Sequence, residues 1–385
     1  MGLSPQHQLA AYSERFHREL VIPHLLNFDW RPDYENGKGA TTNIQVFLPG
    51  LTGRGSDIGA IDGRYLNSRN VPATMEQYFS AVSVNSIDQA TLVGDFEKAV
   101  EPTLAAHVYD IECDLKKAIS SAVSSVCVLQ PGDSLPDLVG RVIGQIRTGS
   151  LESQVNALMS PELMSEMAAK LLEKFNAPAP ALEAFEGRIR RWQGASDIGS
   201  SIAMDGFTAA ADLAPQVHVS APAGPADALT ISVASQQAIP AGTMSINLGR
   251  IGYDPVKKAT GKDLVVANAQ DIPPGGTQFK LSFRLEAGAT CSKLPAEGDY
   301  PVSEAAGASY GEIYVFRKGA IAGRAGVLPG HSAGKMNFLP KNGGIAIRRW
   351  QFSEGQQDVE TVRFDALLAA ATVYPSGAAK ILVPM

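Results

Sequence analysis

The sequence predicts an α+β fold, with helices and strands in separate runs rather than in regular alternation. Two observations carry this. "EPTLAAHVYDIECDLKKAISSAVSSVCVL" holds a long helical repeat of apolar residues. From about Gly194 to Ala325 the chain turns rich in Gly, Ala, Ser, Val and Pro, with short strand-prone runs between turn signals. Separate runs of this kind argue against a doubly wound parallel sheet.

The elements follow in order. Leu9, Tyr12, Phe16 and Leu20 recur at three and four residues, the spacing of an amphipathic helix that Pro23 stops. "NFDWRPDYENGKGA" reads as an extended arm. "TTNIQVFLPG" is a β-branched strand ended by Pro-Gly, and "VPATMEQYFSAVSVNSI" is the returning strand. The polar, glycine-rich "LTGRGSDIGAIDGRYLNSRN" joins them as the tip of a long two-stranded excursion. In the next segment Leu104, Val108, Ile111, Leu115, Ile119, Ala122 and Val126 form one stripe, with Pro102 placed for the first turn. A helix of roughly 25 residues spans ~37 Å. "DLVGRVIGQIRTG" and "SPELMSEMAAKLLEKFNAP" are two further helices, the second capped by Ser160, and "PALEAFEGRIRRWQG" is a short helical piece. The runs "ALTISVAS", "TMSINLG", "DLVVANAQ", "FKLSFRLEA" and "GEIYVFRK" have the spacing of a small antiparallel barrel or sandwich. "VRFDALLAAATVY" and "AAKILVP", joined by "PSG", read as a closing hairpin.

Composition narrows the function classes. The chain has 385 residues, 45% of them hydrophobic, which is material for two or three folded units. Its formal net charge is -6, and the longest basic cluster is "RIRRW" at Arg188 to Trp192. A general nucleic-acid binder carries a basic stripe, and none is present. Three cysteines, Cys113, Cys127 and Cys291, form no C-x-x-C pair; Cys113 and Cys127 read as buried thiols, and a reducing compartment fits. The N-terminus lacks the long apolar core of a signal peptide, and no run approaches ~18 apolar residues. The expectation is a soluble protein without a membrane partner.

Gly330-His331-Ser332-Ala333-Gly334 matches the G-x-S-x-G nucleophile elbow. The elbow needs a helix leaving the serine, but "KMNFLPKNGG" follows, with Pro340 and a Gly-Gly pair. It also places its histidine after the serine in the chain, and no histidine follows His331. "GRGSDIG", Gly53 to Gly59, is one residue off the dinucleotide fingerprint and opens no convincing helix. No H-x-x-x-H occurs, so no metal site is signalled. His107 reads as packing at the helix surface. No catalytic residue, cofactor or metal is expected. Arg54, Asp57, Asp62 and Arg64 lie together on the excursion, either as solvated charges or as pairs with a neighbouring subunit.

The ordered succession of parts resembles a tailed-bacteriophage major capsid protein of the Hong Kong 97-type fold. Within it, the chain is similar to the coat-protein family of the short-tailed Salmonella phages. "TTNIQVFLP" resembles the strand entering that family's extended loop, and "VPATMEQYFSAVSVNSIDQATLVGDFEKAVEPTLAAHVYDIECDLKKAI" its return strand, short helix and spine helix. "SPELMSEMAAKLLEKF" followed by "EGRIRRWQGASDIGSSIAM" resembles the axial-domain helix and a following strand. "IPAGTMSINLGRIGYDPVKKATGKDLVVAN" resembles the inserted β-domain with its Tyr253, Pro255, Lys258 and Thr260-Gly261 pattern, and "YVFRKGAIAGRAGVLP" the strand that leaves it.

The resemblance implies an N-terminal arm at 1–42 and an extended loop at 43–85. It implies a peripheral domain with the spine helix at 86–131 plus parts of 185–225 and 305–350. An axial domain at 132–184 plus 351–385 and an inserted, barrel-like β-domain at 226–304 complete it. It further implies self-assembly as pentamers and hexamers into an icosahedral virion shell around packaged double-stranded DNA, formed in the host cytoplasm. The implied partners are a separate scaffolding protein, a portal protein and, optionally, a decoration protein. Some relatives cross-link through a lysine on the extended loop. No lysine lies between Gly39 and Glu97, so that chemistry is not expected here. The rival readings are a serine hydrolase using Ser332 and a carbohydrate-binding or tail-like β-module at 226–300.

Overall fold

A computed structural model of the chain describes residues 5–30, 41–47, 68–85, 96–148, 154–174, 195–209, 211, 213, 215–220, 228–234, 245–254, 260–267, 278–284, 290–293, 297–328, 335–338, 344–354, 359–373 and 377–385. Helices and strands are mixed throughout, as an α+β chain requires.

The N-terminal segment forms helix α1 (Pro5–Glu19), the one-turn helix α2 (Ile22–Leu25) and the strand Asn27–Trp30. Leu9, Tyr12, Phe16 and Leu20 are buried, which explains the apolar spacing. Pro23 does not end α1; it sits in the first turn of α2, where its missing N–H costs no intrahelical bond. The excursion's base is an antiparallel hairpin, with Thr41 opposite Thr74 and Phe47 opposite Ser68. Its returning strand continues, after Met75, into Glu76–Asn85.

Helix α3 spans Phe96–Ser121, 26 residues. Leu104, Val108, Ile111, Leu115 and Ile119 of the expected stripe are all buried along it. Its limits differ from the expectation at both ends. Pro102 lies inside the helix, because the six residues before it, FEKAVE, are helix-forming and extend it upstream. Downstream, Val123–Val128 leaves the helix as a strand. Its valines favour the pleat, and a distant strand offers them a ladder.

Two large sheets organise the molecule. The first runs Asn27–Trp30, Ile321–Gly326, Val359–Thr372, Ile347–Glu354, Lys335–Phe338, and Glu76–Asn85 also pairs with Val359–Thr372. The second runs Val123–Val128, Ala378–Pro384, Ser309–Arg317, Val155–Met159, Asp197–Ser200, with Phe207–Thr208 on Ser309–Arg317. The core cluster holding the apolar faces of α1 and α3 reaches both sheets, through Phe364 and Ile347 of the first and Phe316 and Leu382 of the second. Helices α4 (Leu135–Thr148) and α5 (Pro161–Lys174) cover the second sheet. Their Val139, Ile143 and Met167 share a cluster with its Ile313, Val315 and Ile381. The Ser160 hydroxyl accepts the Leu163 N–H at 3.2 Å, the cap expected for α5.

The closing hairpin is not formed. Val359–Thr372 belongs to the first sheet, and Ala378–Pro384 to the second, antiparallel to Ser309–Arg317 and parallel to Val123–Val128. The intervening turn signal is local, whereas the strands' ladders are completed by segments far away in sequence. Residues 216–301 contribute two smaller antiparallel sheets. One has four strands, Gln278–Arg284, Ala228–Ala234, Gln216–Val219 and Gly298–Pro301. The other has three, Thr260–Ala267, Ser245–Asp254 and Thr290–Lys293.

Candidate functional site

Among the described residues no group of three or more His, Cys, Asp or Glu side chains is placed to hold a metal ion. Arg54, Asp57, Asp62 and Arg64 lie outside the described residues, as do Gly330–Gly334 with Ser332 and the basic cluster at Arg188. "GRGSDIG" lies outside them too. No described helix is long and apolar enough to cross a membrane.

What the fold does bring together is a set of buried polar locks, each joining segments that are distant in sequence. The first ties α1 to α3 and to the strand leaving the hairpin. The Tyr12 hydroxyl lies 2.8 Å from Ser80 Oγ and 2.8 Å from His107 Nδ1. The Tyr12 ring stacks on Phe364 with centroids 3.8 Å apart. His107, at 2% exposure, is a core residue rather than a helix-surface one. Burial pushes its pKa down to about 4, against an opposing pull from Asp365, so the ring is neutral at pH 7.

The second lock pins the N-terminal segment to α3. The Glu112 carboxylate accepts the Val21 N–H at 2.5 Å and the Ile22 N–H at 3.0 Å, where α2 begins, and also the Ser201 hydroxyl. These are donors that a helix start leaves without intrahelical partners. Burial raises the Glu112 pKa, and the bonds it accepts pull the other way. Two glycines seat the same segment. A Cβ on Gly199 would lie 2.5 Å from a Leu25 methyl, and one on Gly323 would lie 2.2 Å from the Phe28 ring.

Two further locks sit in the sheets. Asp365, with no exposed surface, accepts Arg348 Nε at 2.9 Å and Nη2 at 2.7 Å on one oxygen. Arg363 Nε at 2.5 Å and Gln77 Nε2 at 3.1 Å donate to the other. Glu312 of the second sheet pairs with Lys380 at 2.5 Å and with Lys116 of α3 at 2.9 Å. Burial opposes the charge on Glu312, and the two ammonium groups more than offset it, so its pKa is lowered. A fourth carboxylate, Glu304, accepts the Ser245 N–H at 2.7 Å and hydroxyl at 2.6 Å, tying the three-stranded sheet to the body.

These carboxylates are occupied by donors from the same chain, an arrangement that fixes segments. Sequence reasoning missed them all, because every partner pair except Arg363–Asp365 is separated by tens to hundreds of residues, and none spells a local motif. The sole advance signal was His107 sitting one position off the apolar stripe of α3.

No protein-family model matches the chain, and no curated protein matches it. Solved structures are similar to it along most of its length. One is the capsid of the cyanophage P-SCSP1u, at 11% identity over 93% of this chain and 86% of that chain, with a TM-score of 0.46. A second is the mature capsid of bacteriophage PhiM1, at 10% identity over 94% and 87%, with a TM-score of 0.42. A third is the virus-like particle of Pyrococcus furiosus, at 8% identity over 98% of both chains, with a TM-score of 0.43. No residue role is carried across at these similarities.

Proposed function

We propose that this chain is the major capsid protein of a tailed bacteriophage, with a Hong Kong 97-type fold, and that its function is assembly. The observation that carries the reading is the run from hairpin to sheet. The base of a long excursion, Thr41–Phe47 with Ser68–Thr74, passes directly into Glu76–Asn85, which is locked to α3 and to α1 through Ser80. In this reading the residues between the two paired strands contact a neighbouring subunit. In this reading residues 1–42 are the arm, 43–85 the extended loop and 226–304 the inserted β-domain. The peripheral domain is drawn around the first sheet and α3, and the axial domain around the second sheet, α4 and α5. That division puts Ser309–Arg317 with the axial part and Val359–Thr372 with the peripheral part.

Copies would form pentamers and hexamers in a closed icosahedral shell around double-stranded DNA, where symmetry multiplies modest interfaces into a stable container. Arg54, Asp57, Asp62 and Arg64 would pair with a neighbouring subunit. A separate scaffolding protein and a portal protein are the partners this role requires, and a decoration protein is an optional one. A net charge of -6 suits a container that holds its genome without gripping it.

Electron microscopy of the purified chain, alone and with candidate scaffolding proteins, tests the proposal. Capsomers or closed shells are the expected result. A chain that stays monomeric in every condition and shows esterase turnover abolished by Ser332→Ala would overturn it.

A further inference from the structure

One rung of the first sheet reads Lys335, Trp350, Arg363, Ala81 across four antiparallel strands. Directly opposed residues point to the same face, and so do residues two apart on a strand. Phe79, Phe352, Arg348 and Asp365 therefore share this face. The intervening Phe364 points the other way, onto Tyr12 of α1. This face carries a ladder of cations and rings. Lys335 Nζ lies 4.5 Å from the Trp350 ring, and the Arg363 guanidinium lies 4.0 Å from Phe79 and 5.9 Å from Trp350. Phe79 itself is 56% exposed, a large ring left in water on a flat sheet.

The other end of this same face is covered. Leu367 and Ala369, two and four residues beyond Asp365, are buried in a cluster with Ile44, Ala73 and Met75 of the chain's own hairpin region. The kind of surface that fits this face is therefore already known: it is a surface of this chain. Charge points the same way. Arg348 and Arg363 both pair with Asp365, and Lys335 adds a further cation over Trp350, on a chain whose net charge is -6.

We propose that the open end of this face, centred on Phe79 and Trp350, is a docking surface for a second copy of this chain. The proposal rests on the capsid reading and adds where one subunit receives the next. Phe79 supplies the apolar anchor, and Lys335 and Arg363 steer the acidic neighbour onto it.

The test uses the full chain with Phe79→Ser and Lys335→Glu, each compared with the wild type by circular dichroism, thermal melting, sedimentation velocity and electron microscopy. Folding is expected to be unchanged, while the yield of assembled particles falls about tenfold or more for Phe79→Ser. Independently, Phe79→p-benzoylphenylalanine is expected to photo-cross-link into a two-chain product. Variants that assemble like the wild type, or a cross-linker that stays within one chain, overturn the docking surface and leave the capsid reading standing. A wild-type chain that never self-associates sinks both. Oligonucleotide binding that is lost in Lys335→Glu while assembly is unaffected also overturns the inference, by assigning the ladder to a polyanion.

Discussion

Asp365 is an ionisable side chain with no exposed surface, held between two guanidinium groups and an amide. A buried charge is tolerable only when it is paired and hydrogen-bonded in this way. Removing the carboxylate takes from Arg348 and Arg363 the buried partner that both ion pairs share. Asp365→Ala is therefore expected to cost about 3–5 kcal/mol, measured by urea unfolding. His107 gives a second residue-scale expectation, this one in pH. Its folded pKa of about 4 lies below the ordinary histidine value of 6.5. The unfolded chain therefore binds more protons between those values, and stability rises with pH across that window. The contribution is complete above pH 6.5 and is lost as pH falls towards 4. It amounts to about 3 kcal/mol, the pKa difference converted at 1.36 kcal/mol per unit. His107→Gln is expected to flatten this part of the profile in urea titrations between pH 4 and 7. An unchanged slope would assign it to other groups.

At the scale of elements, the N-terminal segment shows how seating depends on absent atoms. Phe28 lies across Gly323 because the strand Asn27–Trp30 runs parallel to Ile321–Gly326, with Phe28 opposite Gly323. In Gly323→Ala the added methyl occupies the ring's place. The expected outcome is release of Asn27–Trp30, seen as new protease cleavage there and a loss of about 1–3 kcal/mol. This is also where the sequence was readable and where it was not. The stripes of α1 and α3 and the Ser160 cap follow from spacing over one or two turns, so they were legible. The start of α3 was not, because Pro102 carries a strong start signal that the helix-forming residues upstream override. Nor was the partnership of Ala378–Pro384, since the choice between a nearby strand and Ser309–Arg317 is settled by which face is buried, not by the turn. The locks were the least visible, because Glu112, Asp365 and Glu312 look like any other acidic residues until distant donors arrive.

For the whole molecule, two sheets share one core around α1 and α3, and charged locks hold the segments that cross between them. Burying carboxylates with their partners specifies which segment goes where more than it adds stability. In the proposed shell that specificity matters, since an arm or loop seated wrongly would present the wrong surface to a neighbour. The expected whole-molecule outcome remains particles in the electron microscope.

One feature of the second sheet has a consequence in time. The strand Ala378–Pro384 lies between Val123–Val128 and Ser309–Arg317, in the interior of the sheet and not at its edge. Val123–Val128 leaves the ribosome some 250 residues earlier, yet among the described residues its one neighbour in the sheet is that later strand. Pairings of such long separation form slowly, and the apolar surface they will cover stays open meanwhile. Translation itself thus delays completion of the second sheet, and a growing chain cannot close this part of its fold while that strand remains in the ribosome.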